Sequence, residues 1–122
     1  MAFKLGNRNR DFNLPWKAKL FKKNFDDGTV AEANMDGTID IDSALDLKSE
    51  FGKRVIKHEE KHLEQIESGK AAYNDSVVMW EGKLYVRKEI DGVGVIDGPN
   101  GRWPEGHKNH PWEAEAIQAE KE

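Results

Sequence analysis

Apolar positions along this chain follow two rhythms. Between Thr29 and Asp42, and again between Ser76 and Arg87, they fall in short runs of β-favouring residues divided by an acidic residue and a glycine. Asp36-Gly37 separates Thr29–Ala33 from Thr38–Ile41, and Glu81-Gly82 separates Ser76–Trp80 from Lys83–Arg87. Both stretches predict β-hairpins. The run Thr38-Ile39-Asp40-Ile41-Asp42 alternates apolar and acidic residues, which predicts a strand with one wet face at a sheet edge. Residues 49–68 repeat differently: Val55, His58, Glu59, His62, Leu63 and Ile66 recur at helical spacing. Ser49 can cap that helix and Gly69 can end it. Lys53, Arg54, Lys57, Glu60, Lys61, Glu64 and Glu67 fill its other side with potential ion pairs.

Elsewhere the pattern is weaker. Residues 1–15 read as irregular, 16–23 as a short strand or a short helix, and Asp26-Asp27-Gly28 as a turn. Asp91–Arg102 is glycine-rich and holds Pro99, so it reads as loop, continuing through Trp103–Asn109. Pro111 suits the first position of a final helix capped by His110 or Asn109, whose last residues should fray. The expected fold is α+β: a small, mostly antiparallel sheet packed on the 49–68 helix, with a second helix at the C-terminal end.

Composition narrows the chemistry. A chain of 122 residues supports one domain with a modest core. It has no cysteine, which removes disulfide scaffolds, thiolate metal sites and cysteine nucleophiles. It has no apolar run long enough to span a membrane and no apolar leader after its basic start, so membrane partners are not expected and a cytoplasmic location is. The net charge of −4 hides an asymmetry: residues 1–24 carry a net of +6 and the remainder −10. Residues 1–24 are therefore expected to form a basic arm on a domain spanning 25–122. Such an arm can dock on a larger assembly, on an acidic partner or on the acidic body itself, with nucleic acid the less favoured partner. Phe12, Leu14, Trp16, Leu20 and Phe21 give it packing material.

The chemistry concentrates in His58-Glu59-Glu60-Lys61-His62, which reads H-E-x-x-H. Residues four apart share a helix face, so two imidazoles can address one metal ion. Glu59, beside them, can reach a water on that metal as general base. The segment Pro111-Trp112-Glu113-Ala114-Glu115-Ala116 lies downstream, where a third ligand is wanted. Here the sequence resembles the gluzincin metallopeptidases, in particular their small single-domain members, the minigluzincins. The likeness covers roughly residues 29–120, though its motifs occupy about a dozen. It implies a zincin-like fold, a Zn2+ cofactor held by His58, His62 and Glu113, and Glu59 as the catalytic base. Glu115 is the competing carboxylate, about 200° further round the helix. Many members have Asp where this chain has Ile117, which removes an expected support for the ligand-bearing helix.

Transition-state stabilisers are not marked by any motif. His107, His110 and Tyr85, and more weakly Tyr73, are the candidates, the histidines reading more readily as a loop residue and a helix cap. Glu32 to Asp40 resembles part of a calcium loop, but Ser43 stands where the closing glutamate belongs, so it reads as a hairpin. The function expected is hydrolysis of peptide bonds in a peptide or protein substrate, with Thr38, Ile39, Asp40 and Ile41 binding that substrate by strand addition. The alternative is a structural or assembly protein with a zincin-like fold. The opening Met1-Ala2-Phe3-Lys4 and the compact polar style resemble phage-encoded proteins, for which a virion location follows.

Overall fold

The computed structural model describes residues 2–5, 19–99 and 101–122. Among these residues the fold is α+β, with two helices and two sheets in which antiparallel pairing predominates. The first sheet holds β1 (Ala2–Leu5), β2 (Lys19–Lys23), β3 (Thr29–Ala33) and β4 (Thr38–Asp42) in the order β1-β3-β4-β2. Its centre is the predicted hairpin, with Ala31 opposite Ile41 and Ala33 opposite Ile39. β1 lies parallel to β3, and β2 lies parallel to β4. The helix α1 (Glu50–Glu67) follows. Then β5 (Ala71–Tyr73), β6 (Val77–Trp80), β7 (Lys83–Ile90), β8 (Val93–Gly98) and β9 (Gly101–Pro104) make an antiparallel meander, and α2 (Pro111–Ala119) ends the chain.

Local chemistry accounts for the helix limits. The Ser49 hydroxyl accepts the Gly52 N–H at 2.9 Å, and Gly69 follows the last turn in the left-handed conformation. One side of α1 is buried: Val55, His58, Glu59, His62, Leu63, Gln65 and Ile66. That side packs against β3, β5 and α2. α2 is seated by Trp112, which is 1% exposed. The Tyr85 ring meets the Trp112 indole edge-on at 4.9 Å, and the His110 ring stacks on it at 4.8 Å. Burying so large a ring contributes several kcal/mol. The next residue, about 100° further round the helix, is Glu113, and anchoring Trp112 therefore also sets where Glu113 points.

Several expectations change. Asp91–Arg102 is not a loop, because β8 and β9 run through it. Asp91-Gly92 sits at the β7–β8 turn with φ of 51° and 79°, as Glu81-Gly82 does at the β6–β7 turn with 48° and 79°. The strands continue on either side of the turn. At Gly98 a side chain would run into the Tyr85 ring, so that glycine serves packing rather than looseness. Tyr73 lies in strand β5. The residues Thr38, Ile39, Asp40 and Ile41, expected at a substrate-binding edge, are interior: β4 pairs with β3 on one side and β2 on the other, and all four are buried. The alternating pattern of β4 marks an apolar face and a polar face, both buried. On the polar one, Asn34 Nδ2 donates to Asp40 Oδ2 at 3.1 Å, and Lys23 pairs with Glu32 at 3.0 Å.

From the basic segment, β1 and β2 are strands of the first sheet. Residues 16–23, open between strand and helix, contain β2. Phe12, Leu14 and Trp16 lie outside the described residues. Among the described residues no helix is long and apolar enough to cross a membrane.

Candidate metal centre

α1 carries His58 and His62 one turn apart on its buried side, and the anchored α2 brings Glu113 against them. Glu113 Oε1 lies 2.8 Å from His58 Nε2 and 3.0 Å from His62 Nε2. The two imidazole rings stand 4.9 Å apart at 74° to each other. The potential ligand atoms of the three residues lie within 4.8 Å of one another, and all three side chains are buried. This group is able to hold a metal ion. Glu115 takes no part in it. Its carboxylate turns to Lys70 Nζ at 2.7 Å and to the Gln65 amide at 3.2 Å.

Glu59 is also wholly buried, and neither of its oxygens has a hydrogen-bond partner among the described residues; the same holds for Glu113 Oε2. Three such carboxylate oxygens are costly inside a protein unless a cation or a polar ligand meets them. Two imidazole nitrogens, a carboxylate oxygen and nearby acceptors in want of a partner suit a divalent metal with an open coordination position. The residues present therefore fit the group their spacing implies.

The electrostatics of the metal-free site agree. Burial pushes the Glu59 carboxyl up to about 7, against the pull of His62 and His58. Burial would lower His62, but the Glu113 charge and hydrogen bond outweigh it, with help from Glu59 and Gln65, and His62 stands at about 9. Glu113 would likewise rise on burial, yet His62 and His58 hold it at about 2. His62 and Glu113 thus form a buried ion pair.

Two supporting residues were not marked in the sequence. The Nδ1 of His58 lies 2.7 Å from Glu120 Oε2, and the Nδ1 of His62 lies 3.0 Å from Gln65 Oε1. Each histidine thus turns one nitrogen inward and engages the other, the usual arrangement behind metal ligands. Glu120 supplies the carboxylate that Ile117 does not. Seven residues is nearly two full turns, so Glu120 lies on the same side as Glu113; this spacing was the available signal. The end of α2 is held rather than frayed, since the Glu120 N–H bonds to Ala116 O and Lys57 Nζ to the backbone oxygen of Glu122.

The other candidates are engaged elsewhere. His110 Nε2 faces the carbonyl oxygens of Pro104 at 3.0 Å and Trp103 at 3.2 Å, and burial lowers its basicity. It acts as a buckle between β9 and α2. The ring of His107 stacks on Trp103 at 4.9 Å, and its Nδ1 accepts the Asn109 N–H at 3.0 Å. Tyr85 is core, 5% exposed, against Trp112. The Tyr73 hydroxyl donates to the Ala33 carbonyl, and burial, then the nearby Glu59 charge, raise it well above the usual tyrosine range.

Comparison with protein-family models, curated proteins and solved structures finds no match for this chain. The site is therefore read from its own geometry.

Proposed function

We propose that this chain is a zinc-dependent peptidase of gluzincin type with a zincin-like fold. The observation that carries the reading is the convergence of His58 Nε2, His62 Nε2 and Glu113 Oε1 beside a buried Glu59 whose oxygens lack hydrogen-bond partners among the described residues. Two histidines and a glutamate are a donor set that catalytic zinc takes when it keeps one position for substrate. Zinc bound there supplies Lewis acidity, which makes an attacking water more acidic and polarises a scissile carbonyl.

The remaining work falls to side chains. His58, His62 and Glu113 would hold the ion through the three atoms that already meet. Glu59, buried beside His58 and His62, takes a proton from the attacking water as the new C–O bond forms. It then returns that proton to the nitrogen of the breaking C–N bond, so the amine leaves neutral and the carboxyl stays on the other product. The substrate is a peptide or protein. Because β4 is paired on both sides, strand addition to Thr38–Ile41 is no part of this proposal.

The test is a peptide-library digest with zinc-loaded protein, run beside Glu59→Gln. The variant should keep about one zinc per chain and lose roughly 10²-fold or more in turnover, the scale of general-base catalysis. A variant that cleaves as well as wild type overturns the mechanism.

One observation favours a second reading. His58, Glu59 and Glu113 are all 0% exposed, which suits a metal that clamps two helices in a structural or assembly protein, such as a virion component. In that case zinc should raise the melting temperature while the library stays uncut.

A further inference from the structure

Gln65 sits on α1 three residues after His62 and is 2% exposed. A buried primary amide has one acceptor oxygen and two N–H donors, and all are used here. Its Nε2 donates to the Trp112 carbonyl at 3.0 Å and to Glu115 Oε1 at 3.2 Å. Both of those groups are acceptors only. Turning the amide over would set its oxygen against a carbonyl and a carboxylate together, so its orientation is decided by its partners. Oε1 must then face His62 Nδ1 at 3.0 Å, and that nitrogen must carry a hydrogen. When His62 is neutral, its lone pair is consequently on Nε2, the nitrogen aimed at Glu113.

We propose that Gln65 is a positioning residue of the metal centre, one that locks His62 in the tautomer and ring orientation that ligates and ties it to the backbone just before Glu113. The proposal rests on the reading of His58, His62 and Glu113 as metal ligands. It also gives Glu115 a role: Lys70 Nζ holds one oxygen of Glu115 at 2.7 Å and steadies the other as acceptor for the Gln65 amide. A single side chain thereby links a ligand on α1 to the turn of α2 that carries another. A metal site assembled from two helices needs such a link, because its ligands must meet within a few tenths of an ångström.

The experiment measures zinc affinity by chelator competition and records the His62 imidazole signals by 15N-detected NMR on the full chain loaded with zinc. Gln65→Leu should lower zinc affinity about 10–100-fold, the usual cost of losing a partner behind a metal ligand. Its His62 Nδ1–H signal should broaden or vanish through exchange. Gln65→Glu keeps the acceptor for His62 but opposes Glu115, and should lose affinity as well. The exchanged pair Gln65→Glu with Glu115→Gln restores a donor facing an acceptor at that contact while the Trp112 carbonyl stays opposed, and should recover part of the affinity that the single variant loses. A purely structural role would lower the melting temperature of the variants while leaving zinc affinity and the His62 signal unmoved.

Wild-type affinity and an intact Nδ1–H signal in folded Gln65→Leu overturn the proposal and leave the metal reading standing. If Gln65→Leu does not fold, the Gln65→Glu single and exchanged variants decide: no recovery in the pair rejects the proposal. Wild-type protein that binds no zinc overturns both.

Discussion

The metal-free protein should lose stability with rising pH because of Glu59. Its side chain is fully buried, and its oxygens find no hydrogen-bond partner among the described residues. Burial raises its carboxyl from 4.5 to about 7. An acid whose folded value lies above its unfolded one binds more protons folded than unfolded between the two, so stability falls as pH rises through that interval. Each tenfold change in acid strength is worth about 1.4 kcal/mol, so the loss between pH 4.5 and a pH above 7 comes to ~3 kcal/mol. Glu59→Gln keeps the shape and removes the charge. In urea titrations with a chelator present, the variant should gain under ~1 kcal/mol over wild type at pH 5 and ~3 kcal/mol at pH 8. His62 and Glu113 titrate in both proteins, and the difference between the two curves reports Glu59 together with its coupling to His62. With zinc bound, the nearby cation offsets the burial and the gain should shrink. A gain that is the same at pH 5 and pH 8, or a variant less stable than wild type at pH 8, refutes the reasoning.

Three further outcomes are expected. Glu113→Ala should weaken zinc binding by at least about 10²-fold, whereas Glu115→Ala, which removes a partner of Gln65 rather than a ligand, should cost tenfold or less in the same chelator competition; the reverse order rejects Glu113 as the ligand. Zinc binding at pH 7 should expel about one proton from His62, because that ring stands at about 9 when the site is empty of metal. Calorimetry of Glu59→Gln, which lacks the Glu59 charge that helps raise His62, in buffers of different ionisation heat should show this release fading as pH rises above neutrality, and buffer-independent heats at pH 7 would exclude it. Gly52→Ala should destabilise the fold by about 1–3 kcal/mol, since the added carbon would overlap the Asp46 carbonyl in backbone that has no free rotor to move; an unchanged melting curve contradicts this.

Much of the local structure was legible in residue order because it depends on near neighbours. Ser49 and Gly69 bound α1, Asp36-Gly37 and Glu81-Gly82 make their turns, and His58, Glu59 and His62 share a helix side by periodicity alone. Which of Glu113 and Glu115 faces the histidines was available as two directions on one helix, and the burial of Trp112 decided between them. The glycine-rich 91–102 segment misled because glycine count does not distinguish a loop from a tight hairpin whose glycines sit at the turns and against a tyrosine ring.

What only the tertiary structure decided involves residues far apart in the chain. The alternation of β4 is the same whether its polar side meets water or other side chains, and only the pairing of β2 along it showed that it is interior. Likewise the Gln65 amide reads as one more polar residue on a charged helix until Trp112 and Glu115 arrive 47 and 50 positions later to fix which way it faces. Glu120 gains its place behind His58 only because α2 docks with its end secured. Sequence alone specifies directions within an element, since backbone geometry repeats every few residues. Which elements meet, and therefore which donors find acceptors, is set by how the whole core closes.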